Sequence, residues 1–345
     1  MIDPDVFGRM PDGRDVRLLT IGAAPGPMVE VLTLGAAVHR LHVTGGDGVR
    51  RNVVLGHPDV AERLASTDYV GGVIGRYANR IAGGRFPLEG REVRVATHDR
   101  GNSLHGGPDG FDVRLWDVVE HGPDDVVLTM TSPDGDQGFP GTVTATVRYR
   151  VEGDTVAAIM EATTDATTVV NLTHHAYLHL GGEGTGTVDD HLLQVEADAF
   201  TPVDATGIPE GDHAPVAGTP FDLREPTRIG PRIRSDHPQV VAAHGIDHNF
   251  VLRGTGLRRA AVLVSEEART SLELWTDQPG LQVYTANVLD GTRRSTTGGC
   301  YRQGDGIALE PQLFPDSPNR PDWPSAVLHP GSSYVSVLEW RFGRP

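Results

Sequence analysis

Thr142-Val143-Thr144-Ala145-Thr146-Val147-Arg148-Tyr149-Arg150-Val151 alternates without a break. Val143, Ala145, Val147, Tyr149 and Val151 fall on one side of an extended chain, and Thr142, Thr144, Thr146, Arg148 and Arg150 on the other. A period of two places one face on a core and the other toward solvent. Gly153-Asp154 then supplies a turn, and Thr155 to Ala162 returns as the partner strand. The same texture recurs at Arg17–Leu19, Val29–Leu34, Val126–Met130, Leu192–Ala197, Ala260–Ser265, Ser271–Trp275, Leu281–Thr285 and Tyr334–Trp340. Between these runs lie 43 Gly and 25 Pro, which leave little room for long helices. One short helix is expected at Asp59–Ala65, with Asp59 as N-cap ahead of Glu62 in a capping box. No repeat or linker divides the chain. The expectation is an all-β fold, one large β-sandwich over residues 1–345, with long loops at Pro202–Pro220 and Arg224–Pro238 available to build a ligand site.

Composition removes several function classes. At 38% hydrophobic and 22% charged the chain can bury a core and does not read as disordered. A net charge of -16 argues against nucleic acid, whose phosphates need a basic face. The sequence contains no lysine, which excludes Schiff-base chemistry, a pyridoxal phosphate anchor and a phosphate-loop lysine. Cys300 is the single cysteine, so no intramolecular disulfide or cysteine metal cluster can form; it reads as a buried or idle thiol. The start, Met1-Ile2-Asp3-Pro4-Asp5, is acidic and lacks an apolar run, and no segment approaches the roughly 20 apolar residues of a membrane span. A cytoplasmic protein is expected, with no membrane and no nucleic-acid partner.

Five polar clusters interrupt the strands. Gly71 to Ile81 carries Arg76, Asn79 and Arg80; its glycines lack dinucleotide spacing, and Asn79 and Arg80 offer forked donors suited to vicinal hydroxyls, or else an arginine paired with a carboxylate. Asn102-Ser103-Leu104-His105-Gly106-Gly107 sets a histidine beside glycines that let backbone approach a ligand. Asn171 to Leu180 reads as a strand, so His174 and His175 cannot both enter one pocket, whereas His175, Tyr177 and His179 share a face. Asp247, in Gly245-Ile246-Asp247-His248-Asn249-Phe250, can accept from sugar hydroxyls or order a turn. Glu310 stands where the apolar run Gly306–Leu309 gives way to the proline-rich Pro311–Asn319, a carboxylate at a strand end. His105, His175, Asp247 and Glu310 are also competent zinc ligands, but no His-x-His or His-Glu-x-x-His spacing supports a metal, and none is expected.

In that order the five clusters resemble the aldose 1-epimerase (galactose mutarotase) family, from about Gly71 to Trp340. The most specific stretches are Gly-Arg-Tyr-Ala-Asn-Arg-Ile at 75–81, Asn-Ser-Leu-His-Gly-Gly at 102–107 and His-x-Tyr at 175–177. Asp-Gln-Pro-Gly-Leu-Gln-Val-Tyr-Thr-Ala-Asn at 277–287 and Glu-x-Gln-x-x-Pro-Asp-x-x-Asn at 310–319 complete the set, with Gln-Gly-Phe-Pro-Gly at 137–141 a further family-like loop. The resemblance implies the family's β-supersandwich, a site in an open groove on one sheet, and a monosaccharide substrate whose α and β anomers are interconverted without a cofactor. It implies His175 as general acid and Glu310 as general base. Asn79, Arg80, His105, Tyr177, Asp247 and Gln282 would hold the sugar, with Gln282 preferred to Gln278 on its spacing to Glu310. The third motif commonly reads Asn-His-Ser-Tyr and here reads His174-His175-Ala176-Tyr177, which keeps the imidazole and the phenol. A relative acting on a modified or phosphorylated sugar, which Arg76 and Arg80 could meet, and a non-catalytic carbohydrate-binding or sugar-sensing protein are the alternatives. A binding module has no need of both His175 and Glu310, and a sensor would show binding without anomer exchange.

Overall fold

Val143–Glu152 forms the ten-residue strand that its alternation demands, with Val143, Ala145, Val147 and Tyr149 fully buried and Thr144 and Arg150 exposed. It pairs antiparallel with Thr155–Thr164, and Gly153 turns the corner at φ +58°, which a residue without Cβ adopts at little cost. A one-residue slip would drive Thr144, Thr146 and Arg148 into the core, so the burial pattern itself fixes the register. The computed structural model describes residues 5–345. Most of the acidic start read above, residues 1–4, lies outside them.

Among the described residues three sheets dominate. Nine strands run in the order Asp117–His121, Asp125–Ser132, Val143–Glu152, Thr155–Thr164, Tyr334–Gly343, Thr270–Thr276, Arg258–Ser265, Leu192–Val195 and Thr227–Arg228. A five-stranded meander covers Val6–Arg9 to Arg50–Asn52. Six strands follow the order Tyr177–Leu178, Ile307–Gln312, Gly280–Tyr284, Asp247–Leu252, Ala197–Phe200 and Ala214–Pro215. Inward residues of all three meet in one apolar cluster, from Leu19 and Val31 through Leu128 and Val147 to Phe250, Leu281, Leu309 and Trp340. That shared core makes the architecture an all-β sandwich.

Three local expectations change. Asp59 does cap the helix Val60–Ala65, its carboxylate accepting from Glu62 N. The Glu62 side chain, however, accepts from Arg294 N at 2.9 Å and Nε at 3.1 Å, so the reciprocal half of the capping box is absent. Two further short helices form, Ile229–Ile233 inside the segment Arg224–Pro238 read as loop and Pro238–Ala243 starting at its end. Pro238 at the first turn is a helix-start signal in the sequence, and the His237 side chain caps the helix by accepting from Gln239 N. Cys300 is exposed on a hairpin edge rather than buried. No helix among the described residues is long and apolar enough to cross a membrane.

Candidate active site

The strands Gly280–Tyr284 and Ile307–Gln312 of the six-stranded sheet are buried on both faces, and strand parity separates core from site. Leu281 and Val283 point into the sandwich, while Gln282 and Tyr284 point out of it; Ile307 and Leu309 point in, while Ala308, Glu310 and Gln312 point out. The register then lines up outward residues across strands. Asn249 opposes Gln282, which opposes Glu310; in the next row Asp247 opposes Tyr284, which opposes Ala308, which opposes Tyr177. Residues far apart in the chain thus meet within two rungs of a ladder.

Above this floor lies a cavity of about 580 Å³ lined by Asn79, Arg80, His105, His175, Tyr177, Asp247, Gln282 and Glu310. All eight residues singled out in the sequence line it. Asn79, in a left-handed turn at φ +63°, exchanges backbone bonds with the second cluster: His105 N donates to Asn79 O, and Asn79 N donates to His105 Nδ1, both at 3.1 Å. The second bond fixes the tautomer of His105, because Nδ1 must be unprotonated to accept and the ring proton therefore sits on Nε2. Burial and the neighbouring His175 hold His105 well below the usual imidazole range. It is a fixed hydrogen-bond donor.

His175 differs. Its Nδ1 has no partner, and its Nε2 lies 3.6 Å from Glu310 Oε1, whose other oxygen is also unpartnered. Burial pushes His175 down to about 4. Burial, reinforced by the charge of Asp247, pushes Glu310 well above the carboxylate range. Both shifts run toward the uncharged forms, imidazole beside carboxylic acid.

Gln282 Nε2 donates to Asp247 Oδ1 at 2.7 Å, and Gln312 Nε2 bridges Gln282 Oε1 and Asn249 Oδ1 at 3.3 and 3.4 Å. Arg80 Nε donates to Asp99 Oδ2 at 2.8 Å, so it both lines the cavity and pairs with a carboxylate. The Tyr177 hydroxyl donates to the Asp68 carbonyl at 2.9 Å, leaving its ring, with those of Tyr69 and Tyr284, as the aromatic wall around His175.

Several sequence readings need correction. The segment around His175 is two short pairings, Thr173–His174 and Tyr177–Leu178, rather than one strand. His174 enters the sandwich core between Tyr149 and Trp340, as the alternation requires, but His179 leaves the site and packs on His191 at 4.8 Å. Glu310 is inside the strand Ile307–Gln312, not at its end; Pro311 does not stop the strand and pairs with Leu281. Arg76 is spent on the Ser132, Pro133, Pro140 and Gly141 carbonyls and cannot meet a phosphate. Gln278 bonds Asp277 and the Val335 carbonyl, outside the cavity. Asn249, Gln312, Tyr284 and Tyr69 were not singled out. Parity with Asp247, Glu310 and Gln282 points to the first three; nothing in the sequence points to Tyr69. The candidate donors of His105, His175 and Glu310 lie within 4.8 Å of one another, a looser set than the roughly 3.3 Å edges imposed by zinc bonds of about 2.0–2.1 Å.

Comparison with known proteins agrees with this architecture. Residues 17–341 match the family model described as Aldose 1-epimerase. Galactose mutarotase from Sus scrofa is 39% identical over 332 residues, covering 95% of each chain. Aldose 1-epimerase from Escherichia coli K12 is 39% identical over 339 residues, covering 96% of each. Among solved structures, an aldose epimerase homologue from C. elegans superposes with a TM-score of 0.89 at 27% identity, covering 95% of this chain and 99% of the other. Galactose 1-epimerase from Lactobacillus acidophilus does so with a TM-score of 0.86 at 28% identity, covering 98% and 97%.

Proposed function

This chain belongs to the aldose 1-epimerase family and is an isomerase of the mutarotase type, and from that premise we propose that Glu310 and His175 exchange the two protons of anomer interconversion on a free hexose such as galactose or glucose. The supporting observation is the buried His175–Glu310 pair, 3.6 Å apart, with burial biasing both groups toward their uncharged forms.

Mutarotation opens the sugar ring, rotates about C1–C2 and closes on the other face. The C1 hydroxyl loses a proton, O5 gains one, and the C1–O5 bond breaks as the aldehyde forms. O1 and O5 are bonded to the same carbon, so acid and base must stand side by side, as these two groups do. Ring opening draws on the charged form of the pair, Glu310 as carboxylate and His175 as imidazolium, which burial makes the higher-energy form. Glu310 takes the O1 proton and His175 delivers its proton to O5. The pair is then neutral, the form that burial favours, so the low-dielectric pocket assists ring opening. Ring closure runs both transfers backward on the other face and restores the ion pair. Each turnover returns every proton, and the scheme needs no cofactor.

In the same proposal His105 Nε2–H donates to the ring-oxygen side. Asn79, Arg80, Asp247 and Gln282 bind the hydroxyls, and Tyr177 supplies a wall. Residues 1–345 act as one domain, in keeping with a core cluster that runs from Leu19 to Trp340. The compartment proposed is the cytoplasm, which suits a chain with a single, exposed cysteine. The partner is a free monosaccharide, and the net charge of -16 argues against nucleic acid.

The test is polarimetry of freshly dissolved α-D-glucose and α-D-galactose with enzyme and with Glu310→Gln. Acceleration by the wild type that the variant abolishes is the expected result. A folded wild type that accelerates neither sugar overturns the free-hexose reading.

A further inference from the structure

Tyr69 sits in a conformation that its side chain resists. Its φ is +57°, left-handed backbone that a bulky residue rarely adopts and that costs on the order of 1–2 kcal/mol. Such strain persists only where the surroundings over-determine it, and here they do. Tyr69 O accepts from Gly72 N at 3.1 Å, closing a tight turn. Gly71 N donates to His175 O at 2.8 Å and His175 N to Gly72 O at 2.9 Å, which ties the turn to the backbone of His175 itself. Gly71 is obligatory in that turn, since a Cβ there would stand 2.3 Å from the Val38 carbonyl. On the other flank the Tyr177 hydroxyl holds the Asp68 carbonyl.

The strained residue faces the acid–base pair. Its ring centroid lies 4.5 Å from that of His105, edge to face, and 5.7 Å from that of His175, while the two imidazoles are 5.4 Å apart and nearly perpendicular. The three rings form a closed triangle. His105 is held at its other end by Asn79 N, but His175 Nδ1 has no partner from another residue and only its own backbone nearby. Ring packing is what remains to orient it.

We propose that Tyr69 is a positioning residue for the acid–base pair: its ring, carried by a strained turn bonded to the His175 backbone, fixes the orientation of the His175 imidazole and shields it from water. The inference rests on the mutarotase reading for its consequence in turnover, and on ring geometry alone for its effect on His175. Tyr69 is not itself a proton carrier, because burial raises its hydroxyl far above the usual phenol range. The groups facing His175 are Glu310, His105, Tyr69, Tyr177 and Tyr284, with Asp247 acting on it through space. Of these, removing Tyr69 takes away no formal charge.

Tyr69→Gly is the informative variant, because glycine takes the left-handed turn without strain and removes only the ring. Imidazole NMR titration of the ligand-free protein reads His175 directly. In the wild type and in Tyr69→Phe, His175 remains neutral down to the low range set by burial. In Tyr69→Gly, water reaches the ring and the midpoint climbs toward the unperturbed 6.5. In polarimetry Tyr69→Gly lowers kcat about tenfold or more with a smaller change in KM, and Tyr69→Phe recovers most of that loss. An unmoved His175 titration in a folded Tyr69→Gly overturns the proposal, as does a Tyr69→Phe variant as impaired as Tyr69→Gly. If the wild type accelerates neither sugar, the titration still decides the positioning role, so the two readings fail separately.

Discussion

His174 and His175 are neighbours in sequence, are both buried and are both driven neutral, yet they serve opposite faces of the structure. His174 lies edge-on to Tyr149 and Trp340 in the sandwich core, 1% exposed, with neither ring nitrogen bonded. His175 lies in the cavity beside Glu310. Burial lowers the first to about 3 and the second to about 4. A perturbed pKa therefore does not by itself mark function. What separates them is a second titratable group within reach and an open volume for a substrate.

The largest expected effect concerns the core side of that comparison. His39, His174 and His191 are each lowered to about 3, and His57 and His248 to about 4, with burial the first cause in every case. In the unfolded chain each returns to about 6.5. Their folded values are depressed, so the unfolded state binds protons first. Their stabilising contribution is complete above about pH 6.5 and is lost as pH falls, at about 1.4 kcal/mol per pH unit for each imidazole. Glu310, with a raised folded value, works in the opposite sense and destabilises the ligand-free fold as pH rises. Urea denaturation at pH 7.5, 6.5 and 5.5 is expected to give a midpoint that falls steadily on acidification. A flat midpoint would mean that the core histidines are protonated or wet.

On the pocket side, His175→Ala is expected to lower kcat at least about a hundredfold with the fold intact. Turnover near the wild-type rate would strip His175 of its role and erase the contrast. Asp247→Ala should act more on binding: a hydrogen bond to a charged group contributes about 1.5–3 kcal/mol, so KM should rise about tenfold or more, with kcat changed less. A fall confined to kcat would instead assign Asp247 to the proton transfer, through the charge it presents to Glu310.

Much of this was legible in the sequence, for a physical reason: a strand's period of two is local. Alternation gave the hairpin at Val143–Thr164 and separated His174 from His175. It failed where the chain stops being a strand. His179 left the face it shares by counting because the pairing Tyr177–Leu178 is only two residues long. Glu310 read as a strand end because Pro311 follows it, yet the strand runs on to Gln312. The meeting of Asn79, His105, His175, Asp247, Gln282 and Glu310 is a property of strand order, which no local period encodes; only the resemblance to a family anticipated it. Tyr69 lay beyond both, since a left-handed tyrosine leaves no mark in a sequence.

The smallest effect is the sharpest test of whether the two faces are separate. His174 carries two nitrogens without partners into the core, beside a Trp340 Nε1 that also lacks one. Each unsatisfied polar atom costs stability that an apolar ring of similar shape does not. His174→Phe keeps the aromatic contacts and discards both nitrogens, at the risk of slight overpacking. The expected outcome is a gain of about 1 kcal/mol in urea denaturation at neutral pH and a weaker loss of stability on acidification, with kcat held within about twofold. The reason is that the two side chains leave the chain on opposite sides, His174 against Tyr149 and Trp340 in the core and His175 into the cavity, with no contact shared between their rings. A stability gain with unchanged turnover would show that the core histidine is structural ballast. A large fall in kcat would instead mean that the core side sets the imidazole geometry of the pocket, which would place the positioning function in the sandwich rather than in the Tyr69 turn.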